Sequence, residues 1–240
     1  MLRTALFFMY FWLSILLATP FCVLYLLARL LGLGRLLQPA FQAMIRAWAG
    51  SLNAVTGSRV RVEGLERIPR EGPVCLVGNH QGNWDIVLVL ALVPRTVGFI
   101  AKSQGLYIPL VNLWIAALDS VFIDRKNVRK AMRSIDRGVG KIRAGKALMV
   151  FPEGTRSRGP SMGAFRPGAF KLATRAGAPI VPVTVDGTYR LWEERKRIGR
   201  GELLFRVHEP IPTAGIGPEE RKLLPERVRA VIEGGAERRP

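Results

Sequence analysis

Apolar and polar positions change rhythm near residue 57. From Thr4 to Ala28 no side chain is charged, and Leu, Phe, Ala and other apolar residues predominate. A bilayer crossing needs roughly 20 such residues. Pro20 falls inside the run and is predicted to end or kink a helix there, because it lacks an N–H and clashes with the preceding turn. Arg3 stands at one end, with Arg29 and Arg35 at the other, so both ends prefer the cytoplasmic face. This favours a shallow helical hairpin bent at Pro20, with a single span as the next reading. A signal peptide fits less well, since "LLATPFC" is a poor cleavage site. Phe41, Met44, Ile45, Trp48, Leu52 and Val55 then recur at helical spacing, with Gln42 and Arg46 off the stripe. That helix either packs on the domain that follows or lies in the interface with Trp48 at headgroup depth.

Beyond Gly57 the pattern becomes short β-rich runs: "SRVRVEG", "PVCLVGN", "TVGFIA", "DSVFID", "ALMVFPE", "PIVPVTVDG" and "LLFRVHEP". Helix-length stretches separate several of them, at 85–92, 107–117, 128–143 and 168–176. Continuous apolar strands alternating with helices predict an α/β fold with a mixed, largely parallel sheet flanked by helices. The expected organisation is an N-terminal membrane-associated helical motif over 1–57 and an α/β domain over 58–240. Ligands of such sheets sit at the carboxyl ends of the strands. Pro182 interrupts a strand-like run and predicts a local bend or edge. The tail from Pro225 is Arg- and Glu-rich and predicts a helix that frays before Pro240.

Charge sharpens this picture. The 240 residues carry a formal net charge of +18, yet 49% are hydrophobic and the mean hydropathy is positive. A nucleic-acid binder would share the charge but seldom the hydrophobicity, so the expected partner is an anionic membrane surface and no nucleic acid. Cys22 and Cys75 lie in segments that do not favour pairing, which fits a reducing compartment. Two separated histidines and two unpaired cysteines form no metal-ligand cluster, so no metal is expected.

The chemistry concentrates at strand ends. In "VGNHQGNWDI", His80 directly follows a strand and precedes Asp85 by five residues. Alone, His80 could be structural and Asp85 a helix cap. Together they resemble a base whose tautomer and developing charge are managed by a carboxylate. No G-x-S-x-G elbow accompanies them, which implies that the substrate supplies the hydroxyl. "FPEGTRSRG" (151–159) places Glu153, a glycine turn, Thr155 and arginines after another strand, and the guanidinium fork suits phosphate. Lys102 and Asp124–Arg125 mark two further strand ends. Backbone N–H groups near Gly82 are the expected oxyanion hole. His208 has only Glu209 beside it and reads as structural. Residues 125–146 form a basic amphipathic helix, which is either a solvated face, a headgroup contact or a docking face for an acidic carrier protein.

Taken in order, "NHQGNWD", "VFIDR", "FPEGTRS" and "IVPV" resemble the four sequence blocks of the glycerolipid acyltransferases, and most of all the bacterial 1-acyl-sn-glycerol-3-phosphate acyltransferases. The resemblance covers roughly residues 58–208. It implies that His80 and Asp85 are the catalytic pair, and that Arg125, Glu153, Gly154, Thr155 and Arg156 serve the phosphate-bearing acceptor. Lys102 is expected to join the phosphate contacts, with Glu153 ordering the arginines or the glycerol. The reaction implied is acyl transfer from a thioester to the 2-hydroxyl of lysophosphatidate, with acyl-CoA or acyl-acyl carrier protein as co-substrate and no cofactor. An N-terminal two-helix membrane motif and a place on the cytoplasmic face of the inner membrane are also implied. Members often carry Ser two residues after the histidine, where this chain has Gly82, which weakens the acceptor assignment. The competing readings are the same chemistry on glycerol 3-phosphate or another lyso-lipid, and a non-catalytic basic membrane or nucleic-acid module.

Overall fold

The computed structural model describes residues 1–124 and 127–236. Helices α1 (Leu2–Leu30) and α2 (Gly34–Thr56) come first. They are followed by β1 (Arg59–Glu63), β2 (Val74–Gly78), α3 (Trp84–Leu92), β3 (Val97–Lys102), α4 (Val111–Ala117) and β4 (Val121–Ile123). The chain continues through α5 (Val128–Arg143), β5 (Ala147–Val150), α6 (Lys171–Ala176), β6 (Ile180–Asp186), β7 (Glu202–Val207) and α7 (Pro218–Gly235). Among the described residues the strands form one sheet in the order β1-β7-β6-β2-β5-β3-β4. Every neighbouring pair is parallel except β6–β7.

Successive side chains of a strand face opposite ways, and both faces of this sheet are covered. Val74 and Leu76 of β2 and Ala147 and Met149 of β5 join the core under α1, α2, α3 and α4. Cys75 and Val77, with Leu148 and Val150, join the core under α5, α6 and α7. This double burial is why the central strands read as unbroken apolar runs. Each fully buried Leu, Ile or Met contributes about 1.5–3 kcal/mol.

Four sequence expectations shift. Helix α1 runs unbroken through Pro20, and the hairpin bend lies at Leu31–Leu33, where Gly32 has φ +78°. One lost N–H is tolerated because the helix is long and packed on both sides of the proline, with Ile15, Cys22 and Tyr25 buried. Pro182 lies inside a central strand, immediately before the β6–β7 ladder begins at Val183. Residues 103–110 form a 3-10 turn and an irregular passage ahead of α4, with Pro109 followed by Leu110 at φ +63°. The final helix starts at Pro218, in the first turn where a proline is favoured, and Pro225 lies within it.

The helical hairpin is joined to the sheet domain. Tyr25 stacks on Phe41 at 4.0 Å, and Trp48 donates to Ser14 Oγ at 3.0 Å. Arg3 bonds the Thr56 carbonyl, while Arg29 pairs with Asp119 at 2.5 Å. Arg3 also donates to the Gly199 carbonyl at 3.4 Å, so both charged ends of α1 meet the domain. Its outer side leaves Leu6, Met9, Leu13, Leu17, Leu24 and Leu27 exposed. Length and composition alone would let this helix cross a membrane.

Candidate active site

The site lies at the carboxyl ends of β2, β5 and β6. The turn after β2 is sewn to β6 by Asn79, whose Nδ2 donates to the Val185 carbonyl at 2.8 Å and whose Oδ1 accepts the Val185 N–H at 2.9 Å. This delivers His80 to the rim. Its ring lies on that of Phe151, with centroids 4.0 Å apart and planes 13° from parallel. Asp85 sits in the first turn of α3, where unpaired amides favour an anion. It is completely buried, and its Oδ2 is 2.7 Å from His80 Nδ1.

Asp85 is held from three directions. Gly82 N–H donates to Oδ2 at 2.9 Å, and the Thr188 hydroxyl donates to Oδ1 at 2.5 Å. An ionised carboxylate accepts only, so the Nδ1 proton belongs to His80 and Nε2 presents its lone pair for a substrate proton. Among the described residues no serine or cysteine donates to His80. Cys75 is buried in the other core, where its thiol is pushed up to about 12 by loss of solvent. Among the described residues the His80–Asp85 pair thus stands without a protein nucleophile.

Glu153 is buried and lies outside the lining of the cavity that His80 opens into. His80 N–H donates to Oε1 at 2.7 Å and Gly163 N–H donates to Oε2 at 2.8 Å. Its carboxyl titrates above the usual range because burial outweighs the two amide donors. The expectation that it orders the arginines is therefore corrected: both oxygens accept backbone amides that hold the loop against His80. The loop is further bound by Ser157 N–H to the His80 carbonyl at 2.8 Å and by Arg158 N–H to the Gln81 carbonyl at 3.1 Å. The Gly82 oxyanion hole is likewise corrected, since that N–H is already engaged by Asp85 and the next, of Asn83, by Glu193.

His80 opens into a cavity of about 560 Å³. Its polar rim includes Lys102, Gly154 and Arg156, and its apolar walls reach α1 and α2 through Phe7, Phe11, Ile15, Trp48 and Leu52. Trp48 therefore lines an internal wall, as the packed-helix reading expects. Gly154 turns with φ +75°, a conformation suited to glycine, and Thr155 is exposed beside it. Arg125 lies outside the described residues. His208 is structural: Nε2 donates to Thr184 Oγ1 at 2.8 Å while that hydroxyl donates to the Ile232 carbonyl. Helix α5 covers the sheet face opposite α1, with only Val139 and Ile142 of its apolar stripe fully buried.

Sequence reasoning missed Thr188, Phe151 and Glu193. The first two follow β6 and β5 at the same sheet edge as His80, so the strand-end argument could have reached them. Glu193 carried no local signal.

Residues 59–186 match the family model described as Acyltransferase. This chain belongs to the acyltransferase family. It is similar to the 1-acyl-sn-glycerol-3-phosphate acyltransferase of Haemophilus influenzae, at 30% identity over 187 residues, which cover 75% of each chain. The human 1-acyl-sn-glycerol-3-phosphate acyltransferase alpha is 33% identical over 177 residues, 72% of this chain and 62% of the relative. A Caenorhabditis elegans relative is covered to 64%. The chain thus spans less than two thirds of these animal relatives. Among solved structures, the crystal structure of the 1-acyl-sn-glycerophosphate acyltransferase of Thermotoga maritima superposes with a TM-score of 0.82 at 30% identity, over 98% of this chain and 95% of that one. This chain thus shares its fold, as well as sequence, with the Thermotoga maritima acyltransferase.

Proposed function

We propose that this acyltransferase moves a fatty acyl group from a thioester to the 2-hydroxyl of 1-acyl-sn-glycerol 3-phosphate, producing phosphatidate. The observation that carries this reading is a His–Asp pair, with no protein nucleophile, opening into an apolar cavity walled by the N-terminal hairpin. His80 Nε2 takes the proton of the acceptor hydroxyl as its oxygen attacks the thioester carbonyl. Asp85 stabilises the imidazolium that forms. The tetrahedral oxyanion then collapses, the C–S bond breaks, and the imidazolium returns its proton to the departing thiolate. Acyl-CoA or acyl-acyl carrier protein supplies the thioester.

Lys102 and Arg156 on the rim meet the acceptor phosphate, and the family resemblance adds Arg125 to them. The apolar cavity receives acyl chain. Helix α1 lies in the cytoplasmic leaflet of the inner membrane with its exposed leucines in lipid, and the basic surface favours anionic headgroups. Both arginine ends bound to the domain support a helix lying along the membrane over one that crosses it.

Acyl transfer to lysophosphatidate in detergent or liposomes tests the reading. Wild type turns over, while His80→Ala and Asp85→Asn lose about 10²–10⁴ in rate with melting temperature and liposome binding retained. Turnover untouched by His80→Ala overturns the mechanism. Wild-type transfer to glycerol 3-phosphate alone overturns the acceptor.

A further inference from the structure

A buried carboxylate packs against the turn that follows His80. Glu193 follows Trp192 in the segment after β6, and its side chain is only 1% exposed. Oε1 accepts the Asn83 backbone N–H at 2.9 Å and an Arg156 Nη at 3.1 Å. The same Arg156 nitrogen donates to Asn83 Oδ1 at 2.7 Å, which closes a three-residue network. Oε2 is buried and has no hydrogen-bond partner among the described residues. An unsatisfied buried carboxylate oxygen costs stability, so packing alone is a poor reason for a glutamate here. Oε2 is aimed at Gly82, where an added Cβ would meet it at 2.4 Å and Cδ at 2.8 Å. Position 82 therefore has no room for a side chain while Glu193 keeps its place.

Arg156 gives one nitrogen to this network and also lines the cavity beside His80. The remainder of its guanidinium is left for a ligand. An arginine fork binds phosphate well only when its plane is held, and Glu193 is the anionic group that holds it. Trp192 next to Glu193 meets Phe8 of α1 edge-on at 5.1 Å, so the segment that carries the carboxylate is itself fixed against the membrane helix.

We propose that Glu193 is a positioning residue for the acceptor: it seats Arg156 and Asn83, and its carboxylate is the reason residue 82 is glycine. This rests on the reading that Arg156 meets the acceptor phosphate. Glu193→Ala frees the guanidinium, and Glu193→Gln keeps an oxygen for Asn83 and Arg156. A methyl at residue 82 meets that carboxylate first.

Steady-state kinetics with lysophosphatidate and an acyl-CoA donor test this, with melting temperature as the folding control. Glu193→Ala raises the acceptor KM by about tenfold, the scale of one charged hydrogen bond, with the donor KM and kcat changed far less. Glu193→Gln stays nearer wild type. Arg156→Ala raises the acceptor KM at least as much, and the double variant is no worse than Arg156→Ala alone. Gly82→Ala raises the acceptor KM in the wild-type background and adds nothing to Glu193→Ala. If Arg156→Ala leaves the acceptor KM unchanged, the phosphate reading fails and the inference with it. If Arg156→Ala raises it and neither Glu193 variant does, the inference alone fails. Gly82→Ala that is equally damaging in both backgrounds also overturns it.

Discussion

Replacing Thr188 by valine removes one hydroxyl and almost nothing else. The residue is completely buried, and its Oγ1 donates to Asp85 Oδ1 at 2.5 Å. Asp85 itself has no solvent contact, so the lost donor cannot be replaced by water without repacking. A hydrogen bond to a charged group is worth about 1.5–3 kcal/mol. Asp85 keeps Gly82 N–H and His80, so it stays in place with weaker orientation. If the loss falls on the transition state, where the imidazolium forms, a tenfold change per 1.36 kcal/mol gives a kcat lower by roughly ten- to hundredfold. The fraction that falls on the ground state lowers the melting temperature instead, by roughly 2–4 °C per kcal/mol at this chain length. The assay is initial rate at saturating donor and acceptor, alongside thermal unfolding, for wild type, Thr188→Val and Thr188→Ser. Serine restores the hydroxyl and should recover most of kcat, while both KM values stay within about twofold, because Thr188 supports Asp85 from behind and is not a cavity residue. A valine variant with wild-type kcat, or a serine variant as slow as valine, would refute the claim that this hydroxyl orients the pair.

Asp119 is largely buried among Lys141, Arg29 and Lys146; burial alone would raise its carboxyl, yet the cations hold it below the usual range. A depressed native pKa gives stability that is present above the ordinary carboxylate value of about 3.9 and lost as pH falls through the native one, so wild type should lose melting temperature below about pH 4 and Asp119→Asn should lose much less. Asparagine also tolerates the φ +61° at this position, which leaves the charge as the variable; Asp119→Ala should unfold at lower temperature than Asp119→Asn. Charging the exposed side of α1 with Leu13→Asp and Leu17→Asp should lower binding to anionic liposomes at least tenfold in flotation, since an ion costs up to about 2.5–3.5 kcal/mol in the bilayer centre, with melting temperature unchanged in detergent. Gly154→Ala should cost about 1–2 kcal/mol in denaturant unfolding, because φ +75° is strained for any residue with a Cβ.

How much of this could be read from sequence follows from where the physical cause lies along the chain. The central strands were readable because burial on both faces leaves an unbroken apolar signature within five or six residues. The His80–Asp85 pair was readable because a strand end and the first turn of the next helix lie a few residues apart. Pro20 misled for the opposite reason: its local cost is real, but packing by Phe41 and Trp114, far along the chain, keeps the helix whole while Gly32 makes the turn. Glu153 misled because its composition suggests a ligand, whereas its partners are two backbone amides, one of them 73 residues away. Thr188 is 103 residues from Asp85 and Glu193 is 110 from Asn83. Parallel pairing of β2 with β6 brings those separations to a hydrogen bond, and nothing in either local stretch announces it. What the sequence concealed was therefore the support behind His80, Asp85 and Arg156. The proposed reacting groups lie in short contiguous blocks, while the groups that hold them in register come from the strand next door in space.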